Sequence, residues 1–141
     1  MNEIVPLLGR LADAVNRDAW LVQRGRHVDA LVMLDAGASQ HLIDVRRGRI
    51  EGIAHGPFVM PSWRFALRAP LAEWLAFWQP LPAPGHHDLL AMRRRKVLTI
   101  EGDLQPFIAN LLYFKAVFAA GRAVQASPAA RSLEQPGGVS R

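Results

Sequence analysis

The sequence has 141 residues, of which half are apolar and 21% are charged, a composition typical of one globular domain with a single core. The net charge of +5, from 17 basic and 12 acidic residues, is a modest excess, so it gives little support to nucleic-acid binding. The sequence has no cysteine, which excludes disulfide bonds and thiolate chemistry. Because it also has no secretory signal pattern and no run of about 18 apolar residues, we predict a soluble, cytoplasmic protein.

Periodicity in the first half predicts helix followed by sheet. Apolar residues at helical spacing predict a helix over residues 2–17, and Trp20 to Val22 continue it or form a second one. After Gly25 the apolar period changes to two, which is the period of a strand with one buried face. We predict four short strands that form an antiparallel meander, over residues 28–34, 40–46, 49–54 and 63–67.

The second half of the sequence predicts helices around one more strand. Pro70 suits the first turn of a helix, residues 79–85 form a proline-rich loop, and a short helix begins near Asp88. A fifth strand over residues 97–101 leads to Asp103, which caps the last helix, and Gly121 is a natural end for that helix. We therefore predict one domain over residues 1–120 and a disordered tail over residues 121–141.

Three segments of this chain carry a family resemblance. The first is VLTIEGDLQPFIANLL, residues 97–112, in which a short strand ends in a Gly-Asp step that starts a helix. The second is RRGRIEGIAHG, residues 46–56, a hairpin with a turn glycine before a short strand. The third is the helix that carries Trp74 and Trp78. Together with the order of elements over residues 28–120, they resemble the sterol carrier protein 2 (SCP2) family.

The resemblance implies an α+β fold in which a five-stranded, mostly antiparallel sheet is packed by helices around an apolar tunnel. Family members bind sterols, fatty acids, fatty acyl-CoA or phospholipids, and some act as accessory domains. It implies lipid binding and transport without a cofactor. The chain departs from the family in having Arg94-Arg95-Lys96 where a glycine is usual near the start of the last strand. It ends in Val139-Ser140-Arg141 and not in a peroxisomal targeting tripeptide, so peroxisomal trafficking is not carried over.

Apolar side chains on the helices before and after the fifth strand are the candidate ligand-binding residues. Helical spacing brings them onto shared faces, and the last helix is apolar on more than one face. These additional apolar side chains have three possible roles. They line a ligand tunnel, pack in an ordinary core, or form a surface that docks on a second copy of the chain or on a partner enzyme. The candidate set is Trp74, Phe77, Trp78, Met92, Phe107, Leu111, Phe114 and Phe118.

Polar residues give weaker signals. The cationic run Arg93, Arg94, Arg95 and Lys96 is either a solvated helix end or a transient contact with a membrane or an acyl-CoA phosphate. No aromatic residue interleaves the run, so we predict no nucleic-acid partner. The sequence His86-His87-Asp88 lacks further metal ligands at a suitable spacing and is interpreted as a capped turn, so no metal is predicted. Enzyme motifs are absent, so we predict no catalytic residue and no enzymatic activity.

Overall fold

Residues 4–125 are described by a computed structural model. The helices of this range are α1 (Ile4–Arg17), α2 (Ala19–Arg24), α3 (Leu71–Phe77), α4 (Leu89–Arg94), α5 (Gln105–Ala109) and α6 (Leu111–Gln125). Its strands are β1 (Asp29–Asp35), β2 (Gln40–Arg46), β3 (Arg49–His55), β4 (Phe65–Arg68) and β5 (Thr99–Gly102). The predicted order of helices and strands is therefore the order observed.

The strands form one five-stranded sheet in the order β3-β2-β1-β4-β5. The first three strands are an antiparallel meander, in which Val32 of β1 pairs with Ile43 of β2. Strand β4 lies on the other side of β1 and runs parallel to it, with Phe65 opposite Val32. Strand β5 completes the sheet antiparallel to β4. The predicted α+β class and mostly antiparallel five-stranded sheet are thus confirmed.

The predicted meander is wrong at its fourth strand, since β4 pairs with β1 and not with β3. The burial of the two strands gives the physical reason. Phe65, Ala66 and Leu67 of β4 are all buried, so this strand needs neighbours on both sides and cover on both faces. Most residues of β3 are exposed, which suits a strand at the edge of the sheet. An apolar period of two indicates that a segment is a strand, but it does not indicate which strand lies beside it.

The core lies between one face of the sheet and the helices. The strand residues of this core alternate in sequence, as in Ala30, Val32 and Leu34 of β1, so they come from the same face. Met33 and Ala66 are buried on the opposite face. Helix α1 packs across β3 and against α6. Its Asn16 pairs with edge strand β3, where the side-chain amide donates to the Ile50 carbonyl at 2.9 Å and accepts from the Ile50 amide at 2.8 Å. These bonds pair backbone groups that an edge strand would otherwise leave open.

The C-terminal helical segment differs from the prediction at two places. It breaks at Asn110, so that α5 and α6 are separate, and Ile108, predicted on the apolar stripe, is 63% exposed. It also continues past Gly121 to Gln125. A Cβ at Gly121 would lie 2.6 Å from the Trp78 ring, so this glycine permits close packing and does not end the helix. The predicted disordered tail lies, over residues 126–141, outside the described residues.

Within residues 4–125, none of the helices combines the length and the apolar character needed to cross a bilayer.

Candidate functional site

The candidate ligand-binding residues lie together in the core. Seven of the eight are at most 2% exposed, and Leu111 is half-buried and packs against the same cluster. Helix α3 and the residue after it supply Trp74, Phe77 and Trp78, while α5 and α6 supply three phenylalanines. The structure therefore brings these residues together in one buried core. The three phenylalanines are Phe107, Phe114 and Phe118. The role of the whole set in binding a ligand stays a prediction.

The rings of this aromatic cluster lie in one core and make direct ring contacts in two groups, one around Trp74 and one around Phe65. Trp74 and Trp78 are stacked, with centroids 5.3 Å apart and planes at 25°. Phe118 of α6 lies 6.2 Å from the Trp74 ring, which joins the two helices. At the other end, Phe107 and Phe114 flank Phe65 of β4 at 5.4 and 5.1 Å in edge-to-face geometry. Phe65 was not among the predicted site residues, although its position in a buried strand could have indicated it.

Both buried tryptophans satisfy their N–H groups with backbone carbonyls. The Trp74 indole donates to the Asp35 carbonyl at the end of β1 at 3.0 Å. The Trp78 indole donates to the Phe118 carbonyl of α6 at 2.8 Å. A buried polar group needs such a partner, because leaving it unpaired costs about 1–3 kcal/mol. These bonds fix α3 between the sheet and α6.

Arg122 makes a second connection between α3 and α6. Its guanidinium donates to the carbonyls of Phe77, His86 and His87 at 2.7, 3.2 and 2.9 Å. It also lies 4.4 Å from the Phe77 ring centroid, a cation–π distance. Burial lowers the pKa of Arg122 from its ordinary value, and Asp88 opposes that shift. This arginine lies beyond the predicted domain end at residue 120, which is why the sequence analysis missed it.

The cationic run of residues 93–96 divides in the structure. Arg93 and Arg94 are exposed at the end of α4. Arg95 folds back, with its guanidinium 3.3 Å from the Gly85 carbonyl and 3.7 Å from the Glu73 carboxylate. Lys96 lines a surface cleft. The run is therefore not one uniform basic patch.

That cleft has a volume of about 500 Å³ and lies where β1 and β4 end and β5 begins. Its charged lining residues are Asp35, Arg68, Glu73 and Lys96. Arg68 donates to Asp35 at 2.6 Å and to Glu101 at 2.9 Å. These contacts, led by the hydrogen bond to Glu101, raise the pKa of Arg68. The sequence analysis missed this cleft, because its residues are drawn from segments far apart in the chain.

The histidines serve separate local contacts. His86 lies 2.6 Å from a Glu73 carboxylate oxygen, and the Nδ1 of His87 accepts from the Gly85 amide. Asp88, predicted as a helix cap, makes no capping bond from its side chain and pairs with Lys115 at 3.0 Å. Among residues 4–125, no three histidine or acidic side chains come together as a metal site.

A second histidine contact joins β2 to β3. His41 is buried, and its Nδ1 lies 2.7 Å from the Nδ1 of His55, its cross-strand partner. Its Nε2 lies 2.9 Å from the Ser39 hydroxyl. Burial, followed by the neighbouring His55, lowers the pKa of His41 to about 4. His41 is therefore neutral at pH 7, and the pair shares one hydrogen bond.

These features define a small α+β domain in which helices bury an aromatic cluster against one face of a mixed sheet. This is the fold of sterol carrier protein 2, as the sequence resemblance implied. A crystal structure of sterol carrier protein 2 matches with a TM-score of 0.66 and 14% identity, covering 83% of this chain and 94% of that one.

Two further solved structures have the same fold. One is a conserved hypothetical protein of Thermus thermophilus, considered a candidate sterol carrier protein, with a TM-score of 0.60, 14% identity and coverage of 84% and 85%. The other is the ubiquinone synthesis protein UbiJ-SCP2, with a TM-score of 0.54, 13% identity and coverage of 84% and 97%. The sequence matches no protein-family model and no curated protein. At these identities the likeness shows the fold alone.

Proposed function

We propose that this protein binds an apolar ligand, such as a sterol, fatty acid, acyl-CoA or phospholipid, and presents it without a chemical step. The observation that carries the proposal is the cluster of six aromatic rings on α3, α5 and α6, within a fold shared with a sterol carrier protein. The ligand's apolar part would lie between the sheet and these helices. Each buried methylene group would contribute about 0.8 kcal/mol before the costs of binding.

Entry of such a ligand requires the helices to separate. The rings of the cluster are at most 2% exposed and fill the space between α3 and α6. These helices are joined by the Trp78 indole bond and by Arg122, so their separation breaks a small number of polar contacts. Met92, also buried, has a flexible thioether side chain that can repack around ligands of varied shape. No proton or group transfer is needed in this function.

Native mass spectrometry of the freshly purified protein is the direct test. We expect an added mass near one ligand per chain, which organic extraction then identifies. The stripped protein should take up a fluorescent fatty acid, and an isoprenoid quinone belongs among the probes because one structural neighbour is a ubiquinone synthesis protein. An empty chain that also refuses every probe would contradict the proposal.

Mutations in the cluster separate binding from folding. A charged residue at Trp74 or Phe107 would abolish uptake, but it would also be buried without a partner, so milder changes are more informative. We expect Phe118→Leu to weaken probe binding several-fold. Leu8→Ala in α1 is the matched control, because Leu8 is as fully buried but lies on a helix without these rings. Equal loss of binding in both variants would show a stability effect only.

Docking on a protein partner is the second candidate function. Ile108 and Leu112 are 63% and 66% exposed, and both lie on the C-terminal helical segment. Phe114 faces the core, so it is unsuitable as a surface probe. If the chain acts as an accessory subunit, Leu112→Asp should abolish self-association or partner capture and leave ligand uptake intact. Light scattering distinguishes a dimer from a monomer in this experiment.

The same proposal includes a cytoplasmic location and transient contact of the protein surface with membranes or acyl-CoA. A carrier working in the cytoplasm meets membranes or acyl-CoA transiently, and the exposed Arg93 and Arg94 would supply the attraction to phosphate. This attraction should weaken as salt increases, because it is screened at exposed sites. Binding to anionic vesicles that persists unchanged at high salt would show that these arginines are not responsible.

A further inference from the structure

We infer that the cleft lined by Lys96 binds the anionic head group, a carboxylate or phosphate, of the amphiphilic ligand whose apolar part occupies the aromatic cluster. This inference rests on the proposed function and names the ligand's chemistry at its polar end. The cleft, of about 500 Å³, is large enough for such a group. Its walls combine charged side chains with the apolar Ala69, Pro70 and Val97.

The charges in the cleft leave one cation without a partner. Asp35 and Glu101 share the single charge of Arg68, at 2.6 and 2.9 Å, so Arg68 has no charge left for a ligand. Glu73 is engaged by His86 at 2.6 Å and lies 3.7 Å from Arg95. Lys96 forms no ion pair within 4 Å among the described residues. A negatively charged group entering the cleft would therefore find its counter-ion in Lys96.

The backbone of Lys96 points to the same role. Its φ angle is +66°, in the left-handed region where glycine is favoured and side chains with a Cβ are disfavoured. Lys96 directly follows the turn that ends α4, and its amide donates to the Arg93 carbonyl. Glycine would satisfy this turn without strain, yet the position carries a long cationic side chain that lines the cleft. Residues held in sparsely populated backbone regions cluster at functional sites, which supports a ligand contact for Lys96.

The cleft and the aromatic cluster share a wall. Asp35 lines the cleft with its side chain, and its backbone carbonyl accepts the Trp74 indole N–H of the cluster at 3.0 Å. Glu73, the residue before Trp74, also lines the cleft. One ligand could therefore place its charged end at Lys96 and its apolar chain beside Trp74 when α3 moves. This geometry favours amphiphiles with a terminal negative charge over neutral lipids of the same length.

The test compares tail-matched ligands. Binding of oleate, dodecyl phosphate and the neutral oleyl alcohol and dodecanol is measured by titration calorimetry on the wild-type chain and on Lys96→Gly. Glycine relieves the backbone at this position, so the variant should fold about as stably as the wild type. We expect Lys96→Gly to bind oleate and dodecyl phosphate about two- to fivefold more weakly, and the two alcohols equally well. Arg10→Gln, which removes an exposed cation on α1 and outside the cleft, is the control and should leave all four affinities unchanged.

Each result has a defined meaning. If the alcohols bind and Lys96→Gly does not alter oleate or dodecyl phosphate binding, the head-group site is overturned and the apolar carrier stands. If the wild type binds none of the probes, both the carrier and its head-group site are overturned. Inorganic phosphate alone, followed by amide chemical shifts of residues 96–99, shows whether the cleft also takes a free anion. Shifts that match those caused by dodecyl phosphate would identify the same contact, and shifts elsewhere would overturn its placement.

Discussion

At the scale of single residues, Tyr113 shows how a buried hydroxyl fixes the fold. Its O–H donates to the Gly48 carbonyl in the β2–β3 turn at 2.7 Å, and the ring covers Gly25 so closely that a Cβ there would lie 2.3 Å away. Burial raises the pKa of Tyr113 to about 12. The side chain therefore ties α6 to both the hairpin and the end of α2.

We expect Tyr113→Phe to lower the free energy of unfolding by about 1–2 kcal/mol, because it leaves the buried Gly48 carbonyl without a donor. Chemical denaturation measures this change. Leu112→Ala, a neighbouring change at a mostly exposed side chain, should cost less than about 0.5 kcal/mol. Equal stability of Tyr113→Phe and the wild type would contradict the importance of this bond.

His41 predicts a dependence of stability on pH. Its pKa is about 4 in the folded chain, whereas a histidine in an unfolded chain titrates near 6.5. Between these values the unfolded state binds more protons, so stability is lost as the pH falls from about 6.5 to about 4. We expect the wild type to lose up to about 3 kcal/mol in this window and His41→Gln to lose less.

The matched control for that pH series is His27→Gln, since His27 is exposed. Urea denaturation at several pH values gives the slopes. If His41→Gln and the wild type lose stability in parallel between about pH 6.5 and 4, the acid sensitivity arises from other groups.

At the scale of elements, the packing of α6 depends on a glycine in the middle of the helix. A Cβ at Gly121 would meet the Trp78 ring at 2.6 Å, while a Cβ at Gly9 in α1 would meet nothing within 4 Å. Alanine is favoured over glycine in a helix interior by about 1 kcal/mol at both sites. The two positions therefore separate intrinsic propensity from tertiary packing.

We expect Gly9→Ala to raise the free energy of unfolding by about 0.5–1 kcal/mol and Gly121→Ala to lower it by about 1–3 kcal/mol. Thermal and chemical denaturation of the two variants provide the measurement. A stabilised Gly121→Ala variant would show that α6 does not approach Trp78 this closely.

At the scale of the whole molecule, Arg122 joins the last turns of α6 to the α3–α4 region. A chain of residues 1–125 retains the three hydrogen bonds of this arginine to carbonyls of the α3–α4 region, and a chain of residues 1–120 loses them. We expect the shorter chain to be less stable by about 2–4 kcal/mol, since several partly buried carbonyls lose a charged donor. Arg122→Gln within residues 1–125 should reproduce most of that loss. If the two truncated chains are equally stable, residues 121–125 do not contribute to the stability of the fold.

Local sequence patterns were enough to predict the class of fold and most of the core, with Ile108 as an exception. Its periods of 3.6 and 2 are local properties, so they located the helices and strands and collected the aromatic residues that later proved to be one cluster. Gly102-Asp103 likewise marked the start of the last helical segment to within one residue: the N-cap is Leu104 and not the predicted Asp103, whose side chain accepts from the Gln105 amide at 3.1 Å.

The pairing of the strands and the places where charged side chains meet could not be predicted from local patterns. The parallel pairing of β4 with β1, the passage of α6 beyond Gly121 and the cleft at Lys96 all depend on residues far apart in the chain. Gly121 appeared to be a helix end in the sequence because a glycine's local preference does not reveal the Trp78 ring beside it. The physical reason is the same in each case: local patterns record the burial of a residue, whereas its partner is selected by the packing of the whole chain.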